Sequence, residues 1–270
     1  MQILQHLRDT KPLIHCITNY VTVNDVANVL LSLGASPVMA DDEAEVKQMA
    51  SIANAMLINI GTLNQRTINS MLKAAKKANK LSLPVVLDPV GVGATELRNE
   101  TALRLLKEAK FTLIRANASE ISFLAGQGGK TKGVDADDSE LLKGLELNIQ
   151  TAKILAKKQG CIVVSSGKID IITDGKQTAL CKNGHQMMSN ITGSGCMQGA
   201  VLAAFLAISN DKFQAVVNGV SAFGICGEMA FEKTQAIDGA NASFRTFFID
   251  EFSKITDDKI LLNGCIEILD

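Results

Sequence analysis

The sequence predicts an α/β fold, with a mostly parallel central sheet and helices on both faces. Three observations lead there. Short β-branched runs alternate with longer Ala-, Leu- and Lys-rich segments through the first two thirds of the chain. Hydrophobic residues make up 47% of 270 positions, Trp is absent and Tyr occurs once, so the core is aliphatic. That suits Val and Ile strands covered by Ala- and Leu-rich helices. Asp174-Gly175 between two apolar runs marks a hairpin, which adds an antiparallel piece and makes the sheet mixed.

The elements follow in order. Leu13 to Ile17 reads as a strand. Val23 to Leu33 reads as a helix, with Thr22 or Asn24 near its cap and Gly34 closing it. Ser36 to Ala40 and Ala55 to Ile60 are strands, and Asn64 to Asn79 carries Ile68, Met71, Leu72 and Ala75 at helical spacing. Pro84 to Asp88 is a buried-type strand, Ala102 to Lys110 a helix, Phe111 to Ile114 a strand and Ser119 to Leu124 a short helix. Ile149 to Gln159 is helical and Gly160 ends it. Cys161 to Ser165, Ile169 to Thr173 and Gln177 to Leu180 are short strands, and from Gly195 to about Lys254 the chain reads as mostly helical. Gly126 to Gly144, rich in Gly, Lys and Asp, reads as a surface insertion, so residues 1–270 form a single domain.

Composition narrows the function. A formal net charge of −1 gives no reason to expect nucleic acid or an anionic membrane as partner. The six cysteines are scattered without a C-x-x-C pair, which reads as reduced and cytoplasmic. Met1 to Lys11 is polar and unlike a signal peptide, and the apolar run Gly199 to Ile208 is too short to span a bilayer.

The chemistry concentrates at Thr192-Gly193-Ser194-Gly195-Cys196. Two glycines allow a sharp turn and close approach to a ligand. A helix starting here aims free N–H groups and its positive dipole end at an anion, usually phosphate. Cys196 in the first turn is expected to have a lowered pKa and to be partly thiolate near neutrality. An anion cradle beside a candidate base points to phosphoryl transfer. Cys196 also has a plain reading as a small buried thiol.

Open α/β sheets bind ligands at the carboxyl ends of their strands. Asp88 ends one strand and could hold Mg²⁺, though Asp before Pro89 also starts turns. Arg115, Asn117 and Glu120 follow another strand: Arg115 suits a nucleotide phosphate and Glu120 the metal, while Asn117 and Glu120 also form a capping-box pattern. Two look-alikes fail. Gly128-Gly129-Lys130-Thr131 lacks the leading glycine and strand of a P-loop, and Gly193-Ser194-Gly195 with Gly199 lacks the setting of a dinucleotide fingerprint.

Together Val85 to Thr95, Asn117-Ala118-Ser119-Glu120-Ile121 and Thr192 to Cys196 resemble the motifs of the ribokinase-like superfamily, in its order. Cys196, where most members carry Asp, resembles the hydroxyethylthiazole kinases, as do His15 to Val21, Gly34 to Ala40 and Leu57 to Leu63. The resemblance runs from about residue 12 to about 230. It implies a ribokinase-like three-layer sandwich without a β lid. It implies ATP- and Mg²⁺-dependent phosphorylation of the primary alcohol of 4-methyl-5-(2-hydroxyethyl)thiazole, a step of thiamine biosynthesis. It implies a homotrimer with intersubunit active sites. On this resemblance Met39, Gly193, Asn19 and Val21 contact the small-molecule thiazole alcohol, and Arg115, Ser166, Asn117 and Gly195 contact ATP. Asp88 and Glu120 hold the metal, and Gly193, Ser194, Gly195 and Cys196 surround the reaction. Asp238 to Phe244 departs from the family's Gly-Pro-Gly-Ser-Phe. Alternatives on the same fold are a kinase for hydroxymethylpyrimidine or another small alcohol, and a catalytically silent nucleotide-binding sensor.

Overall fold

The structure, a computed structural model, describes residues 2–127 and 138–269, with the side chains of 138–142 excepted. Nine strands form one sheet: β1 (Leu13–Ile17), β2 (Ser36–Val38), β3 (Ala55–Asn59), β4 (Val85–Asp88), β5 (Leu113–Asn117), β6 (Ile162–Ser166), β7 (Asp170–Thr173), β8 (Thr178–Cys181) and β9 (Ile266–Leu269). Their order is β2-β1-β3-β4-β5-β6-β7-β8-β9. The first six are parallel and the last three antiparallel. The expected mixed, mostly parallel sheet is therefore present. The chain steps from β1 out to β2 and back across to β3, so a crevice opens beside the end of β1.

The period-two alternation of the strands sorts side chains onto two faces. Ile14, Cys16, Leu57, Val86, Leu113 and Val164 point to one. There they meet α1 (Ile3–Thr10), α2 (Val23–Leu33), α8 (Ser194–Ile208), α9 (Lys212–Ala236) and α10 (Asn241–Lys254). Met56, Ile58, Leu87, Ile114 and Val163 point to the other, under α3 (Val46–Ile52), α4 (Gln65–Lys80), α5 (Glu96–Glu108), α6 (Ala118–Ala125) and α7 (Asp138–Gln159). A last helix, α11 (Asp257–Asn263), precedes β9. Helix α8 is buried from Cys196 through Leu206, because it lies between the sheet and other helices. No described helix is long and apolar enough to cross a membrane.

Several boundaries differ from expectation. Helix α5 begins at Glu96 rather than Ala102, because Thr95 caps its charged first turn, where no apolar period shows. Strand β5 runs Leu113–Asn117 rather than Phe111 to Ile114, since pairing with β6 extends through Asn117 and Ser166. Arg115 and Asn117 thus lie within the strand. Helix α7 starts at Asp138, so the end of the expected Gly126 to Gly144 insertion is helical. The P-loop look-alike at Gly128 to Thr131 lies outside the described residues. The hairpin forms as expected, with Gly175 at φ +88° and Asp174 Oδ1 accepting the Lys176 and Gln177 amides. The departure near residue 240 leaves helix packing intact. Gly239 N–H closes back on Thr234, α10 starts at Asn241, and Phe244 is fully buried.

Candidate active site

The polar residues singled out at strand ends, joined by Asn59, gather at the carboxyl ends of the strands. Asn19 follows β1, Asn59 ends β3, Asp88 ends β4, Arg115 and Asn117 close β5, and Ser166 ends β6. Register places Asn59 opposite Asp88 and Asn117 opposite Ser166. The first turn of α8 comes up to these ends. Gly193, at φ +88°, is its N-cap, a conformation that side-chain-bearing residues avoid. The first helical bond runs from Met197 N–H to Gly193 C=O at 2.9 Å, so the Ser194, Gly195 and Cys196 amides have no acceptor within the helix. A Cβ on Gly193 would stand 2.5 Å from Thr22 Cγ2. One on Gly195 would overlap Arg115 Nη1 and stand 2.7 Å from Nη2.

Arg115 therefore lies against the amide cradle. Its Nε donates to Gln198 Oε1 at 2.8 Å and its Nη2 to Ser166 Oγ at 2.8 Å, while Nη1 is 3.7 Å from Asp88 Oδ1. Asp88 is fully buried. Its Oδ2 accepts from Asn59 Nδ2 at 2.7 Å, and its Oδ1 has no hydrogen-bond partner. Burial pushes its carboxyl up to about 7; Glu120 adds to this, while Arg115 and the Asn59 hydrogen bond oppose it.

From Asp88 a chain of amides leads to the thiol. Asn59 Oδ1 accepts from Gly61 N–H at 2.9 Å and Asn19 Nδ2 at 3.0 Å, and Asn19 Nδ2 also points at Cys196 Sγ, 3.3 Å away. Backbone donors fix both amides: Gly61 N–H holds Asn59, and Thr22 N–H holds Asn19 Oδ1 at 3.1 Å. Cys196 is 9% exposed. Here the expectation of a partly ionised thiol is corrected. Burial, with the Asp88 charge, raises the Cys196 pKa; hydrogen bonds from Thr22, Asn19 and Asn59 offset this only in part. The helix-end effect is outweighed because the sulfur is nearly enclosed by protein.

Glu120 and Asn117 form the capping box of α6. Asn117 Oδ1 accepts the Glu120 amide at 3.0 Å, and Glu120 Oε2 accepts the Asn117 amide at 2.9 Å. Glu120 Oε1 accepts Gly91 N–H at 2.7 Å, which ties the Pro89–Ala94 loop to α6. Both Glu120 oxygens thus already hold a backbone amide. No cluster of three or more His, Cys, Asp or Glu that could enclose a cation exists among the described residues. The orphaned Asp88 Oδ1 and one further carboxylate suit Mg²⁺, which keeps waters and shares phosphate oxygens, better than a fully protein-ligated ion.

A cleft of about 970 Å³ opens over the cradle, lined by Arg115, Ser166, Gly193, Ser194, Gly195 and Gln198 among others. Met39 lines a second, smaller hollow of about 190 Å³ with Cys16, Thr18, Tyr20 and Val23. Tyr20 and Val21 beside it stand 79% and 59% exposed. Four residues of the site escape a sequence reading. Asn59 ends a buried strand just as Asp88 does, which is a usable signal. Gln198 is the one side chain with a strongly polar end between Cys196 and Leu206. Asp170 accepts from Gln198 Nε2 at 3.2 Å and carries no local signature. Arg98, whose guanidinium donates to the Ile60, Gly61 and Val90 carbonyls, braces the loops after β3 and β4 and looks like an ordinary helix-surface charge.

A family model described as the hydroxyethylthiazole kinase family matches residues 4–258. The chain is 52% identical over 260 residues to a hydroxyethylthiazole kinase of Clostridium acetobutylicum, covering 95% of each chain. It is 49% identical to one of Clostridium beijerinckii, covering 96% of this chain and 93% of that one. Among solved structures, the hydroxyethylthiazole kinase protein from Pyrococcus horikoshii is similar with a TM-score of 0.89 and 34% identity, over 99% of this chain and 98% of that one. A pyridoxal kinase from Staphylococcus aureus, in complex with AMP-PCP and pyridoxal, matches with a TM-score of 0.60 at 16% identity over 81% of this chain and 88% of that one, a likeness of fold.

Proposed function

The chain belongs to the hydroxyethylthiazole kinase family, and from that premise we propose that it phosphorylates the primary alcohol of 4-methyl-5-(2-hydroxyethyl)thiazole, using ATP and Mg²⁺, for thiamine biosynthesis. The observation that carries this reading is the convergence of an open amide cradle, an arginine 3.7 Å from its ion-pair partner Asp88, and that buried, half-unpartnered carboxylate at one end of the sheet.

The chain's own groups divide the work. The Ser194, Gly195 and Cys196 amides and the α8 dipole receive phosphate oxygens. Arg115 adds positive charge at the same place, aligned by Ser166, and Asn117 keeps its side-chain N–H₂ at the neighbouring strand end. Asp88 and Glu120 would hold Mg²⁺ through water, and the ion supplies charge neutralisation to the transferred group. The alcohol is assigned to Asn19, Val21, Met39 and Gly193, of which Gly193 lines the large cleft and Met39 the smaller hollow. Cys196 accepts the alcohol's proton only in its small thiolate fraction, because burial keeps most of the thiol protonated. Transfers of this type pass through a loose transition state, so positioning and electrostatics supply most of the rate and a weak base suffices.

Exposed Tyr20 and Val21 beside the Met39 hollow support a site completed by a neighbouring subunit of a homotrimer. Six unpaired thiols support a cytoplasmic location, and the single nine-stranded sheet supports one kinase domain over residues 1–270. The test is ADP release by purified protein with ATP and Mg²⁺, offered the thiazole alcohol or hydroxymethylpyrimidine. Turnover on the thiazole is expected. Turnover on the pyrimidine alone, or ATP binding without turnover on either, would overturn the reading.

A further inference from the structure

The kinase reading uses Arg115 but not the two groups behind it. Arg115 reaches the cradle from β5, whereas the cradle belongs to α8. Their alignment depends on a hydrogen bond back to α8, from Arg115 Nε to Gln198 Oε1 at 2.8 Å. The second anchor, Ser166 Oγ at 2.8 Å, is also uncharged. The guanidinium is thus oriented by uncharged partners at hydrogen-bond distance, while its ion-pair contact, Asp88 Oδ1, is longer at 3.7 Å.

The Gln198 amide has one possible orientation. Arg115 Nε only donates, so the Gln198 oxygen faces it and the Nε2 faces Asp170 Oδ2 at 3.2 Å. The other Asp170 oxygen accepts Gly167 N–H at 2.9 Å, which anchors the whole chain to the turn after β6. Gln198 is 3% exposed, in a helix whose other residues from Cys196 to Leu206 are without strongly polar side chains. An amide buried there is costly unless both ends are paired, and both are.

We infer that Gln198 is a positioning residue: held by Asp170, it aims the Arg115 guanidinium at the Ser194–Cys196 amides and so sets nucleotide affinity. Without the Gln198 oxygen, Arg115 Nε loses its partner and the guanidinium is free to close on the carboxylates of Asp88 and Asp170, turning away from the cradle. This rests on the phosphoryl-transfer reading.

The experiment measures binding of Mg²⁺·AMP-PNP by calorimetry to wild type, Gln198→Leu, Arg115→Lys and the double variant, with steady-state kinetics alongside. Gln198→Leu should raise the AMP-PNP Kd about tenfold, the scale of a hydrogen bond to a charged group, and leave the thiazole KM within about twofold. In the Arg115→Lys background the same change should move Kd by less than about twofold, since coupled residues do not add. A purely structural role would lower the melting temperature without this split. Should Gln198→Leu fail to fold, Asp170→Ala leaves α8 untouched and should raise Kd about threefold by loosening the same amide. An unchanged Kd in the folded variant, or additive effects in the double variant, would overturn the inference alone. Absence of nucleotide binding by wild type would instead overturn the phosphoryl-transfer reading beneath it.

Discussion

Replacing Asp88 with Asn removes a carboxyl whose ionisation its buried surroundings oppose. In the folded protein burial keeps the Asp88 proton on up to about 7, whereas an ordinary aspartate releases it near 3.8. Between those two values the folded state binds more protons than the unfolded one, so stability falls as pH rises. That interval corresponds to ~4 kcal/mol. Asp88 is fully buried, so solvent screening does not discount it. Asp88→Asn has nothing to titrate, and its Oδ1 can still accept from Asn59. The assay is urea unfolding of both proteins across the acid-to-neutral range without nucleotide. The variant should match wild type at the acid end, gain on it through the interval, and keep a constant advantage above it. Adding Mg²⁺ and ADP should shrink the advantage, because cationic charge beside Asp88 favours its ionised form. Parallel stability curves for the two proteins would refute the argument.

Three further outcomes are expected. Gly195→Ala, whose Cβ displaces Arg115, should reduce kcat/KM by about 100-fold or more, and Cys196→Ala by about tenfold or less; equal losses would contradict the proposed division of work. Because the Cys196 pKa is raised, its thiolate fraction grows as pH rises from neutrality, so the wild-type to Cys196→Ala rate ratio should increase with pH; a flat ratio would remove the sulfur from proton transfer. Arg98→Ala leaves three backbone carbonyls without their cationic donor and should cost about 3 kcal/mol in urea unfolding, with a loss under about 1 kcal/mol counting against the bracing role.

Elements with strong apolar periodicity were legible in the sequence to within a residue or two: α2 with its closing Gly34, α4 behind Asn64, and the β7–β8 hairpin. Short elements were not. Helix α1 buries Ile3, Leu4 and Leu7, but eight residues are too few for a period to stand out from a polar terminus. Strand β9 exists because β8 offers it an edge, a partnership that no local pattern encodes. At the site, the cradle, Asp88 and Arg115 were readable because glycines and polar strand ends break apolar runs. The bonds among them were not. Whether Arg115 meets Gln198, or Asn19 reaches Cys196, depends on strands and helices far apart in the chain. The thiol shows the limit most clearly: its helix position argued for ionisation, and the layer it is buried in decides against it.

Helix α8 also constrains how the molecule comes into being. Leu57 of β3 and Asp88 at the end of β4 lie against Gly199, and α8 packs on β1, β3 and β4, so the apolar underside of these three strands lacks its cover until residues 194–208 have been synthesised. A nascent chain halted before that point carries these strands with much of one oily side bare. Such bare apolar surface favours aggregation and chaperone capture, and the segment that covers it is the one that also carries the glycine cradle.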